Sequence, residues 1–407
     1  MLTQWKQHTD LGVTFPLGFV AAGVRCGLKT QGDDLALIFS ETPASAAAVF
    51  TTNVVQAASV RHSKRVAAHG SARAVVCNAG NANACNGPRG DADALRMAEL
   101  AAASLRISTD EVFVASTGVI GHTMPMEKLE EGIPRAADAL DREGGVDMTV
   151  ARAMMTTDLR PKTIAVQMQS DAWEGELRIG GSCKGSGMIA PNMATMLCFI
   201  TTDAALPAGL LQEALSAAVA RTFNRVTVDS DTSTNDTVAL LAGGASGVEI
   251  AAEGPAFDDF CQGIERVCRY LAREMARDGE GATKLVEVVV KGARTEQDAE
   301  TIARSIADSP LVKTALYGND PNWGRILAAA GKCGVAFDPE RLRVAIAGIP
   351  VYVDGAAALF DAATAREALS ESEVRLVVDL RSGGEQATFW TCDFSYDYIK
   401  INAEYHT

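Results

Sequence analysis

Histidine is scarce in this chain of 407 residues, which holds five. His8, His62, His69, His122 and His406 fall in no metal-ligand spacing and no evident catalytic triad, so nothing in the sequence demands a metal. Cysteine is neither scarce nor patterned: nine residues, an odd number, form no CxxC pair and no evenly spaced framework. A disulfide scaffold is excluded on that ground. Cys26, Cys77, Cys198, Cys261, Cys268 and Cys333 stand among small or apolar neighbours and are expected to be reduced core residues. Positive charge is in the minority: 37 Lys and Arg against 51 Asp and Glu give a net charge of −14. Nucleic acid and anionic membranes, which would be repelled, are therefore excluded as partners. Met1–His8 lacks the charged start and apolar run of a secretory signal, and a cytoplasmic protein is expected. No internal repeat or low-complexity linker divides the chain, and Gly185 and Gly187 make only a G-x-G fragment, too short to imply a nucleotide.

What is present is an ordinary soluble-globular composition, 47% hydrophobic and 22% charged, with chain enough for two or three units. Strand-like segments are Leu35–Phe39, Ala47–Phe50, Ala74–Cys77 and Val112–Ala115. Asn78–Ala84 reads as a turn or loop after one of them. Asp91 to about Leu105 is alanine-rich and helical, with Asp91 and Asp93 in its first turn. Pro207 introduces a second helix, with Leu210, Leu211, Leu215, Ala218 and Val219 on one face. The strongest helical periodicity runs from Phe257 to Met275 through Phe260, Cys261, Ile264, Val267, Cys268 and Leu271. Beyond it the texture changes. Leu285–Val290 reads as a strand, Thr295–Asp298 as a helix cap, and strands are expected at Val344–Ile346, Val351–Val353, Val374–Val378 and Ala387–Trp390. Arg381–Glu385 reads as a hairpin connection between the last two. Alternating elements of this kind predict an α/β or α+β fold.

One stretch stands apart. Between Lys184 and Asp203 lie eighteen uncharged residues, nearly the length of a membrane helix. The glycines at its front and Pro191-Asn192 in its middle break any such helix. The better reading is a glycine-rich loop, a sharp turn at Ala190-Pro191-Asn192, and a buried strand beginning near Thr195. A threonine there, behind a turn and next to the small Ala194, could attack the carbonyl before it, cut the chain and become a new N-terminus. Its freed α-amine (pKa about 7.7–8.0 unperturbed) would then take the proton from its own hydroxyl, placing nucleophile and base on one residue.

The run Lys184-Gly185-Ser186-Gly187-Met188, followed by Pro191-Asn192-Met193-Ala194-Thr195-Met196-Leu197, resembles the self-cleaving junction of the ornithine acetyltransferase (glutamate N-acetyltransferase) family. In that family the chain is cut between Ala and Thr. The likeness continues in order through Ser116–Gly121, Met155–Asp158 with Pro161-Lys162, Asp229–Asp236, Gly279–Lys284, Asp320–Arg325 and Tyr398–Thr407.

The resemblance implies a layered sheet-and-helix sandwich with a smaller C-terminal portion. It implies an α piece, 1–194, and a β piece, 195–407, which stay associated, two of each. Thr195 would be the nucleophile, and Thr117 with Gly118 the oxyanion hole. Thr157, Lys184, Thr195, Glu280, Asn402 and Thr407 would bind substrate, Lys184 holding a carboxylate and Glu280 answering a positive charge. For Thr407 to take part, the chain's tail must fold over the site rather than fray. The implied reaction moves the acetyl group of N-acetylornithine to glutamate through an acetyl-threonine ester, with ping-pong kinetics. No resident cofactor is implied; acetyl-CoA serves some family members as a second donor. Two alternatives remain open from the residues: an N-terminal-nucleophile amidase or aminopeptidase that passes the acyl group to water, and an uncut, non-catalytic homologue.

Overall fold

In the computed structural model, which describes residues 4–143, 145–190 and 196–404, ten strands precede the longest helix. They are β1 (Gln4–His8), β2 (Phe19–Val24), β3 (Leu35–Ser40), β4 (Ser45–Phe50), β5 (Ala74–Asn81), β6 (Val112–Val119), β7 (Lys162–Gln169), β8 (Leu177–Lys184), β9 (Leu197–Thr202) and β10 (Thr237–Ala242). They form a six-stranded sheet in the order β1-β7-β8-β9-β10-β4 and a four-stranded sheet in the order β2-β3-β5-β6.

The two sheets face each other, and the reason is legible along β9. Leu197 and Phe199 join the core between the sheets, while Cys198 and Ile200 join the core beneath the outer helices. Strand β10 repeats this, with Ala239 and Leu241 inward and Val238 and Leu240 outward. Successive side chains of a strand point to opposite faces, so a strand apolar at every position must be covered on both. Helices Ala208–Arg221 and Pro255–Arg277 cover the outer face of the six-stranded sheet. Helices Gly87–Leu105 and Met126–Asp138 cover the four-stranded one, and Val146–Met154 packs between the sheets. The result is a helix–sheet–sheet–helix sandwich, as the expected fold class required.

The C-terminal portion has its own sheet: β11 (Leu285–Ala293), β12 (Arg343–Ile346), β13 (Ile349–Val353), β14 (Ala356–Ala357), β15 (Glu373–Asp379) and β16 (Glu385–Cys392). Their order is β14-β13-β12-β15-β11-β16. Helices Glu296–Ala307, Pro310–Tyr317 and Trp323–Gly331 pack on one face. After β16 the helix Tyr396–Glu404 runs back to the first sandwich.

Several expectations change. Arg381–Glu385 is not a hairpin turn, because β11 lies between β15 and β16, parallel to one and antiparallel to the other. The connection crosses the end of β11, where a Cβ on Gly383 would stand 2.1 Å from the Ala293 carbonyl oxygen. The first alanine-rich helix starts at Gly87, so Asp91 and Asp93 lie past its first turn; Pro88 is what opens it. Asn78–Asn81 continue β5 instead of turning, paired with β6 through a bulge at Gly80 and Asn81. All nine cysteines are free, but Cys26, Cys261 and Cys333 are only half-buried. Among the described residues no helix is long and apolar enough to cross a membrane.

Candidate active site

Strands β8 and β9 are antiparallel neighbours with Lys184 opposite Leu197, so the glycine-rich stretch is the connection between two paired strands. Ala194 and Thr195, the expected junction, and Thr407 lie outside the described residues. The six other expected site residues come together. Thr117, Gly118, Thr157, Lys184, Glu280 and Asn402 all line one cavity of about 220 Å³. Met188, Asp229, Asp231 and Tyr398 share it.

Thr117 and Gly118 sit in β6 itself, not in a turn after it. Gly118 has φ +130°, and a Cβ there would lie 2.4 Å from the Gly80 carbonyl carbon and 2.6 Å from the Asn81 nitrogen. Only glycine fits where two backbones approach so closely. Lys184 is not a solvated surface lysine: it is 2% exposed. Its Nζ donates to the Thr156 hydroxyl at 2.8 Å and to the Thr117 hydroxyl at 3.4 Å. A hydroxyl that accepts from an ammonium keeps its own proton, which Thr117 can donate to an oxygen in the cavity.

A buried ionic network underlies this corner. Lys162 Nζ donates to Asp158 at 2.7 Å and to Asp278 at 2.6 Å, all three side chains being shielded from solvent. Asp158 also accepts the Gly185 N–H at 2.7 Å and faces Lys184 Nζ at 3.8 Å. Burial alone would raise the Asp158 carboxyl, but Lys162 and Lys184 hold it well below the usual carboxylate range. Burial likewise works against the Lys162 ammonium, and Asp158 and Asp278 raise it above the usual lysine value. The spacing of Asp158 and Lys162, acid and base four apart beside the expected Thr157, was the available signal for this network. It carried no role in the sequence because burial cannot be read locally.

Part of the lining is acidic. Glu280 Oε2 accepts from Asn402 Nδ2 at 2.8 Å, and a Cβ on Gly187 would strike the Glu280 carboxyl at 2.3 Å. Asp229 accepts the backbone N–H groups of Met188 at 2.6 Å, Ile189 at 2.8 Å and Asp231 at 3.2 Å. Burial pushes its carboxyl up to about 6, although those three donors favour the anion. Tyr398 stacks on Phe394 with ring centroids 4.7 Å apart. Burial and the nearby Asp229 and Glu280 carboxylates raise its phenol above the usual tyrosine value. Among the described residues no group of three or more His, Cys, Asp or Glu could hold a metal ion. The lining thus combines the Lys184 cation, the Asp229, Asp231 and Glu280 carboxylates and the Thr117, Thr156 and Thr157 hydroxyls. Such a cavity suits a small zwitterion.

The sequence profile of the ArgJ family matches residues 20–407. The arginine biosynthesis bifunctional protein ArgJ of Thermosynechococcus vestitus is 48% identical over 425 residues, covering 100% of both chains. That of Thermus thermophilus is 48% identical over 399 residues, covering 98% of this chain and 100% of its own. The crystal structure of the Bacillus halodurans ArgJ protein is 44% identical with a TM-score of 0.50, covering 51% of this chain and 98% of that one.

Proposed function

The chain belongs to the ArgJ family, and on that premise we propose that it moves acetyl groups through Thr195. It is an acyltransferase of arginine biosynthesis. Thr195 Oγ attacks the Ala194 carbonyl, the acyl group shifts from nitrogen to oxygen, and water hydrolyses the ester. The cut leaves residues 1–194 and a piece starting at Thr195, whose amine is the base. In the transfer reaction that amine accepts the hydroxyl proton as Thr195 Oγ attacks the acetyl carbonyl of N-acetylornithine. The Thr117 hydroxyl and the Gly118 N–H bear the oxyanion. The C–N bond breaks, the ornithine amine leaves with the proton, and an acetyl-threonine ester remains. The glutamate amine then attacks this ester, the C–O bond breaks, and N-acetylglutamate departs as the Thr195 hydroxyl is restored.

The observation that carries this reading is the convergence of Thr117, Gly118, Thr157, Lys184, Glu280 and Asn402 on one cavity. In this reading Lys184 holds a substrate carboxylate, which both amino acids carry, and Glu280 meets the ornithine side-chain ammonium. Thr407 is assigned to the same pocket by resemblance. Acetyl-CoA enters as a co-substrate, a second donor to glutamate, and no resident cofactor is assigned.

The strand order supports lasting association of the pieces. Strands β9 and β10, from the second piece, lie hydrogen-bonded between β8 and β4 of the first. Two such pairs per assembly, in the cytoplasm, complete the proposal.

Denaturing intact-mass spectrometry of the purified protein beside Thr195→Ala tests it. Two fragments meeting at Ala194/Thr195, absent from the variant, followed by glutamate-dependent acetyl transfer, are expected. An uncut chain in both samples overturns the mechanism in favour of a non-catalytic homologue. Acetate release without need of glutamate would instead identify an amidase.

A further inference from the structure

The described residues on either side of positions 191–195 are both hydrogen-bonded by one segment, 228–237. On the upstream side, Asp229 accepts the Met188 and Ile189 N–H groups at 2.6 and 2.8 Å. The Val228 N–H donates to the Ile189 carbonyl at 2.7 Å. On the downstream side, Asp236 Oδ1 accepts the Met196 N–H at 2.9 Å, and the Thr237 N–H donates to the Met196 carbonyl at 3.1 Å. Between them, Asn235 Nδ2 donates to the carbonyls of Ala82, at 2.6 Å, and Ser116, at 2.8 Å. Ser116 directly precedes Thr117 in β6.

These contacts are not ordinary loop packing. Met188 is in the left-handed region at φ +55°, an uncommon conformation for a non-glycine residue, and its N–H is bound by Asp229. Asp236 is fully buried, and among its hydrogen bonds the one from the Met196 N–H ties it to the downstream flank. Burying a carboxyl is costly unless it is hydrogen-bonded. The Met196 N–H is one of the donors that offset that cost.

We propose that Asp229, Asn235 and Asp236 form a positioning clamp for self-cleavage, fixing both flanks of the junction against the strand that carries Thr117 and Gly118. This rests on the cut between Ala194 and Thr195 proposed above. An intramolecular attack on the preceding carbonyl depends on alignment, and a 1 Å misplacement can cost roughly 10²-fold in rate. Asp229 sets the carbonyl side, Asp236 the strand that follows the nucleophile, and Asn235 the distance of both from the oxyanion donors. None of the three is asked to touch the reacting atoms.

The test follows the uncut fraction with time in full-length chain made by cell-free synthesis, for wild type, Asp236→Ala, Asp236→Asn and Val238→Ala. Val238 is buried in β10, two residues after Asp236, and its side chain bonds neither flank, so its truncation reports general destabilisation. Asp236→Ala is expected to cut at least about tenfold more slowly, in line with the alignment cost. Asp236→Asn, which keeps an oxygen for the Met196 N–H, is expected to recover most of that loss, and Val238→Ala to cut at the wild-type rate. Wild-type cutting by Asp236→Ala overturns the clamp, as does equal slowing by Val238→Ala or failure of the Asn rescue. If Asp236→Ala does not fold, Asp229→Asn decides: slow cutting supports the clamp and a wild-type rate overturns it. An uncut wild type would sink the cleavage reading itself, an outcome distinct from all of these.

Discussion

Asn402, on the last described helix, donates through Nδ2 to Glu280 Oε2 at 2.8 Å, joining positions 122 apart in the chain. The contact orients the Glu280 carboxylate in the acidic part of the cavity lining. A hydrogen bond to a charged group contributes about 1.5–3 kcal/mol, toward the low end where one partner is partly exposed. Asn402→Ala should therefore raise the KM for N-acetylornithine about tenfold, since each 1.4 kcal/mol is a factor of ten, with a smaller change in kcat. Steady-state kinetics with N-acetylornithine and glutamate varied separately would check it. An unchanged KM for both would remove Glu280 and Asn402 from the pocket's recognition.

Removal of one oxyanion donor costs about 10²–10³ in kcat in comparable sites. Thr117→Ala should show a loss of that order, with the protein still folded. Gly118→Ala should be worse, because its Cβ has nowhere to go between the Gly80 and Asn81 backbones. Thermal unfolding measured beside kcat separates the two effects: Thr117→Ala keeps its Tm, and Gly118→Ala loses both.

The Lys162–Asp158–Asp278 network should dominate the acid and alkaline limits of stability near the site. The Asp158 carboxyl is depressed below its ordinary value of 3.8, so its contribution is complete above that pH and is lost as pH falls through the folded value. Lys162 is raised above 10.5, so its contribution is complete below that pH and is lost as pH rises through the folded value. Lys162→Met, which leaves two buried carboxylates facing each other, should cost about 3–5 kcal/mol at neutral pH. Urea unfolding at pH 7 and pH 3 would show the deficit shrinking in acid.

Asp229 has the opposite sign. Its folded value of about 6 exceeds the ordinary 3.8, so the native state binds more protons between those limits. Stability falls as pH rises through that window and is level above it. The effect amounts to at most about 3 kcal/mol at 1.36 kcal/mol per pKa unit. Asp229→Asn should flatten the slope between pH 4 and pH 6.5 in urea midpoints. A variant whose slope matches wild type would show that the three backbone donors outweigh burial.

Much of the architecture could be read from local signals, and for definite reasons. The helix Pro255–Arg277 is marked by apolar residues every three or four positions, all the way from Phe257 to Met275. The cap at Thr295 is a single hydroxyl accepting the Asp298 N–H at 3.1 Å. The long ordered motifs around Thr117, Lys184 and Glu280 identified the family because each is a contiguous string of residues. Helix and strand periodicity, caps and motifs all act within a few residues, where sequence is sufficient.

What the sequence by itself determined, then, is the elements with strong local signals, the family and the residue types available for acyl transfer. Only the tertiary structure decided which of them meet. It inserted β11 between β15 and β16 where a hairpin was expected, because pairing depends on strands more than eighty residues apart. It buried Lys184 and Lys162, which as isolated lysines would be solvated, by surrounding them with Asp158, Asp278, Thr117 and Thr156. It also drew Asp229 to Met188 and Ile189, and Asp236 to Met196, on either side of positions 191–195. Burial and pairing are properties of contacts between distant residues, and a charge or a hydroxyl acquires its role only when those contacts form.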